Sequence, residues 1–189
     1  MKAFDPDIHH RRSVRLAGYD YGCEGTYFIT ICIHNRECLL GDIADGAMHL
    51  NEYGRIADAI WKQTPVLRPN VGLDAYVIMP NHVHGIVLIT NDGRRSATHT
   101  SVPSSPDTSR GSNVWPLTSP SQTLGSIVRG FKSAVSSRIT ALRNDTSPIW
   151  QRNYHEHIIR NDADLDRIRS YIANNPLRWA EDENNPARV

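Results

Sequence analysis

The chain has 189 residues, 39% of them hydrophobic, enough for one domain with a sizeable core. Its formal net charge is +1, which excludes a uniformly basic nucleic-acid binder and leaves only local basic patches for that role. Three cysteines, Cys23, Cys32 and Cys38, make no CxxC pair; they point to a reduced, cytoplasmic setting.

The first residues, MKAFDPDIHHRRSVRL, lack the apolar core of a signal peptide, and no apolar run is long enough to span a membrane. TYFITICIHN (26–35) alternates and predicts a strand, with Tyr27, Ile29, Ile31 and Ile33 on the buried side and Thr26, Thr30 and His34 on the other. LLGDIADGAMHLN (39–51) holds an Asp-Gly turn between short apolar runs and predicts a hairpin. NEYGRIADAIWKQ (51–63) places Tyr53, Ile56, Ala57 and Ile60 at helical spacing, with Pro65 and Pro69 as stops. DAYVIMP (74–80) and HVHGIVLIT (82–90) predict a strand pair or one interrupted strand, with Pro80 at a turn, bulge or edge.

Residues 91–122 are dominated by Ser, Thr, Pro, Gly and Asn and predict a flexible low-complexity insertion within one domain. TLGSIVRGFKSAVSSRITALR (123–143) is the clearest helix, its stripe formed by Leu124, Ile127, Val128, Phe131, Val135, Ile139 and Leu142. Arg129, Lys132, Arg138 and Arg143 add basic charge whose ordinary reading is a solvated face. WQRNYHEHIIRN (150–161) predicts a strand and DADLDRIRSYIANNP (162–176) a helix with an acidic first turn, buried through Leu165, Ile168 and Ile172 and ended by Pro176. The order strand, helix, strands, helix, strand, helix predicts an α+β fold on an antiparallel sheet.

His82 and His84 are the feature this pattern does not account for. On a strand, residues i and i+2 project from one face, so both imidazoles aim at one point, a geometry suited to chelation. For an isolated His-x-His, two ordinary hydrogen-bonded histidines remain the commoner outcome, and HEH at 155–157 repeats the spacing. No third Cys or His stands at structural-zinc spacing. A further ligand is needed, and Asn175 is a candidate. It lies four residues after Tyr171, so both can share a helix face at roughly 5–6 Å between Cβ atoms, although Pro176 puts Asn175 at the helix end. A tyrosine hydroxyl beside a metal-ligating amide could attack a phosphate polarised by the metal.

The blocks RLAGYDYGCEGTYFITICIHNRECLLGDI, YVIMPNHVHGIVLI, LGSIVRGFKSAVSSRI and IWQRNYHEHIIRNDADLDRIRSYIANNPLRW, in that order, resemble the REP-associated tyrosine transposases, relatives of the single-tyrosine HUH transposases. The resemblance runs from about Val14 to Trp179. It implies a ferredoxin-like or RRM-like antiparallel sheet flanked by helices. The transposase domain would span 14–180, with flexible tails at 1–13 and 181–189. It implies that His82 and His84 bind Mg²⁺ or Mn²⁺ with Asn175 as a third ligand, and that Tyr171 is the nucleophile. The implied activity is an enzyme that cuts and rejoins single-stranded DNA at hairpin repeats through a 5′-phosphotyrosine link, as a monomer or a homodimer, without a membrane partner. With so low a net charge, phosphate contacts fall to local sets: Arg11, Arg12 and Arg15; Arg129 and Lys132; Arg152 and Arg160. Two other readings are a domesticated repeat-binding protein that does not cleave, and a hydrolase or replication initiator that uses water in place of Tyr171.

Overall fold

The computed structural model describes residues 24–90 and 123–188. The tail 1–13, with Arg11 and Arg12, then Arg15, and the insertion 91–122 lie outside the described residues. Strands β1 (Gly25–Cys32), β4 (Val71–Ile78), β5 (His82–Ile89) and β6 (His155–Ile159) form one sheet in the order β4-β5-β1-β6. Every pairing is antiparallel. Helix α1 (Glu52–Leu67) connects β1 to β4, and α2 (Leu124–Arg143) connects β5 to β6. This β-α-β-β-α-β order is ferredoxin-like, as expected. A small hairpin, β2 (Gly41–Ala44) and β3 (Ala47–Leu50), precedes α1, and α3 (Asp162–Asn174) follows β6.

The sheet is covered on both faces, and the alternation of β5 shows how. Val83, Val87 and Ile89 join Tyr27, Ile29 and Ile31 of β1 in the main core under α1 and α2. Ile86 and Leu88 face the other way, against Ile168, Ile172 and Leu165 of α3. The same alternation turns His82 and His84 toward the α3 face.

Gly85 sits on the α1 face, where a Cβ would lie 2.4 Å from Cζ2 of the fully buried Trp61. Trp61 is itself held edge-on against Phe131 at 5.3 Å. Gly85→Ala is therefore expected to destabilise the fold by about 1–3 kcal/mol, lowering the melting temperature in a thermal melt by roughly 2–12 °C.

The Asp45-Gly46 turn has positive φ at both residues, 52° and 71°, as a two-residue hairpin of this hand requires. Several boundaries move from their expected places. Helix α1 runs through Pro65 to Leu67, because a proline in the last turn removes only one helical bond; the chain leaves at Arg68, before Pro69. Strand β4 starts at Val71 and carries an irregularity between Leu73 and Tyr76, where the Asp74 carboxylate accepts the Ala75 N–H at 2.6 Å. Pro80 lies in the turn between β4 and β5, closed by Met79 N–H donating to His82 O at 2.8 Å. The strand expected over 150–161 is pared to β6 and an isolated bridge between Trp150 and Ile33. Gln151 N–H still donates to Cys32 O at 2.9 Å, while the carbonyls of Gln151 and Asn153 accept from Lys132 Nζ, each at 2.8 Å.

The stretch from 181 was expected to be a flexible tail. Its described residues, 181–188, lie in a run of turns. A short 3₁₀ turn (Pro176–Glu181) leads into turns closed by Asp182 N–H to Trp179 O and Asn185 N–H to Asp182 O. Asn185 Nδ2 donates back to Trp179 O at 3.0 Å. These turns bring Asp182 inward, its side chain 5% exposed. No helix among the described residues is long and apolar enough to cross a membrane.

Candidate active site

The β4–β5 turn begins the site. Asn81 is 1% exposed; its Nδ2 donates to Arg36 O at 2.9 Å and Asn184 O at 2.7 Å. With both amide hydrogens so placed, Oδ1 must accept, and it meets His82 Nδ1 at 2.9 Å. The proton of His82 is therefore on Nδ1, and Nε2 carries the lone pair. That atom is buried and has no hydrogen-bond partner. The His84 ring is held in place by its own neighbours. Its Nδ1 lies 2.8 Å from Thr30 Oγ1 on the neighbouring strand, its directly opposed residue in the register. A Phe28 ring stacks on it at 5.3 Å.

Helix α3 brings Tyr171 over this pair. Arg169 grips Asp74 at 2.9 and 2.6 Å, tying the helix to the irregular stretch of β4. Tyr171 Oη lies 3.2 Å from His84 Nε2. Its ring stands edge-on to Phe28 at 6.0 Å. One turn on, Asn175 is 4% exposed; its Nδ2 donates to Asp182 Oδ2 at 3.3 Å, and its Oδ1 has no partner. Asp182 Oδ1 accepts the Asn184 N–H at 2.6 Å.

His82, His84 and Asp182 each offer one ligand atom, all within 4.8 Å of one another. Two imidazoles with Nδ1 held by Asn81 and Thr30, a carboxylate, and the orphaned Oδ1 of Asn175 make a donor set that fits a divalent cation. Asp182 Oδ2 is 4.0 Å from His82 Nε2, too far for a hydrogen bond. Nor is this an ion pair near neutrality. Burial holds the His82 pKa at about 4, although Asp182 and Asn175 offset part of the drop. Burial, then the nearby His82 and His155, hold His84 well below the usual range. Both rings are thus ready as neutral ligands.

The same shift sets an acid limit. Between the ordinary histidine value of 6.5 and about 4, the unfolded chain binds a proton at His82 that the folded chain refuses. Stability present above pH 6.5 therefore falls as pH drops through this window, by on the order of 3 kcal/mol from His82 alone. Urea melts in a chelator at neutral and acid pH would read it.

Tyr171 has the opposite problem. Burial of its hydroxyl, then the charges of Asp182 and Glu183, raise its pKa above the ordinary phenol value, while Asn175 pulls the other way. Without added positive charge it stays protonated.

The structure gathers His82, His84, Tyr171 and Asn175, as the spacing suggested, and adds three residues the sequence reading passed over. Thr30 and Asn81 could have been sought, since one stands on the polar side of β1 and the other abuts His82. Asp182 gave no sign, being 98 residues from His84 and outside any periodic element. Among the described residues, the basic sets do not converge. Lys132 is occupied by two carbonyls, and burial lowers its pKa to about 8. Arg129 lies on α2, across the sheet from the histidines, while Arg152 and Arg160 are exposed around β6.

No family model matches the chain. An uncharacterized protein of Haemophilus influenzae (strain ATCC 51907 / DSM 11121 / KW20 / Rd) is 43% identical over 181 residues, 95% of this chain and 96% of that one. The two belong to one family. Among solved structures, the REP-associated tyrosine transposase bound to a REP hairpin matches at a TM-score of 0.54 and 20% identity, over 93% of this chain and 76% of that one. The fold is that of the REP-associated tyrosine transposase. The likeness read from the sequence blocks and the shared tyrosine-transposase fold agree. A transposase candidate from Deinococcus radiodurans R1 also matches, at a TM-score of 0.39 and 18% identity over 85% of this chain and 95% of that one.

Proposed function

We propose that this chain is a transposase-type DNA endonuclease that cuts and rejoins single-stranded DNA at hairpin repeats, with Tyr171 as nucleophile and Mg²⁺ or Mn²⁺ as cofactor. The observation that carries the reading is Tyr171 Oη at 3.2 Å from His84 Nε2, at the edge of a cluster of two imidazoles and a carboxylate. His82, His84 and Asp182 would hold the cation, with Asn175 beside them. Two nitrogen ligands suit Mn²⁺ better than Mg²⁺. When bound, the cation supplies the positive charge that polarises a phosphate and favours the phenolate.

The chain's own residues do the rest. Thr30 and Asn81 orient the rings. Phe28 and α3 hold the phenol where a phosphate can meet it. Tyr171 Oη attacks phosphorus and gives its proton to solvent. The bond to the 3′ oxygen breaks, and that oxygen takes a proton from water. The 5′ phosphate stays on Tyr171 as an ester, so attack by a 3′ hydroxyl reverses the step without ATP.

The test is a labelled hairpin from the DNA flanking the gene, incubated with protein and Mn²⁺ and run on a denaturing gel. Label that migrates with protein supports the reading. Tight hairpin binding with no adduct in either cation would replace it with a repeat-binding protein that does not cleave.

A further inference from the structure

The histidines and Asn175 are closed to solvent, at 0%, 2% and 4% exposure, whereas Tyr171 is 45% exposed. Among the described residues, the side on which the Tyr171 ring is open is where a polymeric phosphate can approach the cluster. On that side lies a cavity of about 560 Å³ between α3 and the C-terminal turns. Its cations are Arg167, Arg178 and Arg188. Arg167 is one turn before Tyr171, and Arg178 is seven residues after it, so guanidinium groups stand on both sides of the nucleophile along the chain. Ser170 and Asn174 lie between them on the same wall, at the i, i+3, i+7 spacing of one helix face.

We infer that this cavity is the groove for the single-stranded DNA backbone, with phosphates flanking the scissile one held by Arg167, Arg178 and Arg188. The inference rests on the function proposed above. Guanidinium forks match phosphate oxygens in pairs. Two of the three are held by exchangeable surface partners: Arg167 by Asp164, and Arg178 by Glu181 at 3.2 Å with both side chains 72% exposed. Arg188 sits on the opposite wall. Three carboxylates, those of Glu181, Asp182 and Glu183, also line the cavity and oppose an anion. Asp182 belongs to the cation cluster, so a bound divalent ion leaves the three arginines outweighing the two outer glutamates. None of these arginines was expected from the sequence as a DNA contact.

The experiment is fluorescence anisotropy of a short labelled oligo-dT, titrated with protein in Mn²⁺ over a series of salt concentrations. Tyr171→Phe serves as the parent so that no adduct forms. With about 0.7 counterion released per phosphate contact on a single strand, loss of three contacts flattens the log–log salt slope by about two. Arg167→Ala, Arg178→Ala and Arg188→Ala combined are expected to do this and to weaken binding tenfold or more. The corresponding lysine variants should keep most of the slope. Arg138→Ala on α2, across the sheet, should change neither. Circular dichroism and Mn²⁺ titration of the triple variant check that fold and cation cluster are intact. A parent that binds and a triple variant that binds with the same slope would overturn the groove while leaving the proposed function standing. A parent that binds neither oligo-dT nor the labelled hairpin from the DNA flanking the gene would overturn both.

Discussion

Tyr171→Phe is expected to remove all covalent attachment of labelled DNA, a drop of at least about a thousandfold in adduct formed per unit time. Binding of the same DNA should change no more than about twofold. The argument is geometric. Phe keeps the ring edge against Phe28 and the packing of α3, and loses only the atom that reaches His84. No other hydroxyl in the described cluster can replace it: Thr30 Oγ1 is on the far side of His84, bonded to Nδ1. A denaturing gel with matched wild-type protein measures the outcome. Full adduct yield in the variant would remove Tyr171 from the reaction. Unlinked, nicked product in the variant would point to water as the nucleophile.

His82→Ala is expected to lower Mn²⁺ affinity by about a hundredfold or more in isothermal titration calorimetry, and to abolish the adduct with it. Asp182→Ala should cost at least about tenfold, and Asn175→Ala should cost less. The ordering follows from charge. Asp182 brings a carboxylate to two neutral imidazoles, while Asn175 brings a neutral carbonyl oxygen and a donor that holds Asp182 in place. If Asn175→Ala proves the worse of the two, the sequence-derived assignment of Asn175 as third ligand is the better one. A protein that binds no divalent ion at micromolar concentration would take the cation out of the mechanism.

Much of the fold was legible because its strands and helices are short-range patterns. Alternation in Tyr27, Ile29 and Ile31 and the apolar stripe of α2 each report a face turned to a core, and both faces are where they were expected, except that Leu142 at the end of the stripe is 53% exposed. What was not legible depended on side chains binding distant backbone. Lys132 takes the carbonyls of Gln151 and Asn153, and no local preference of either residue announces that. The site divides the same way. His82, His84, Tyr171 and Asn175 were visible because the histidines share β5 and Asn175 is the helical cap four residues after Tyr171, so each pair inherits an element's period. Asp182 was not, since its place is set by Asn184, Asn175 and the turns after α3. A polar stretch of the composition EDENNPARV carries the marks of a solvated tail until the groups it can bond are known.

The 3.2 Å contact between Tyr171 and His84 Nε2 bears on when the protein can act. That nitrogen has a single lone pair. It cannot hold a cation and share a proton with the phenol at once, whichever tautomer the ring adopts. In the proposed reading, ion capture and the parking of the nucleophile are therefore mutually exclusive. A chain short of metal keeps its tyrosine hydroxyl occupied as well as uncharged. A chain that loads metal frees the hydroxyl in the same event. In that reading one nitrogen would tie strand cutting to the presence of the ion.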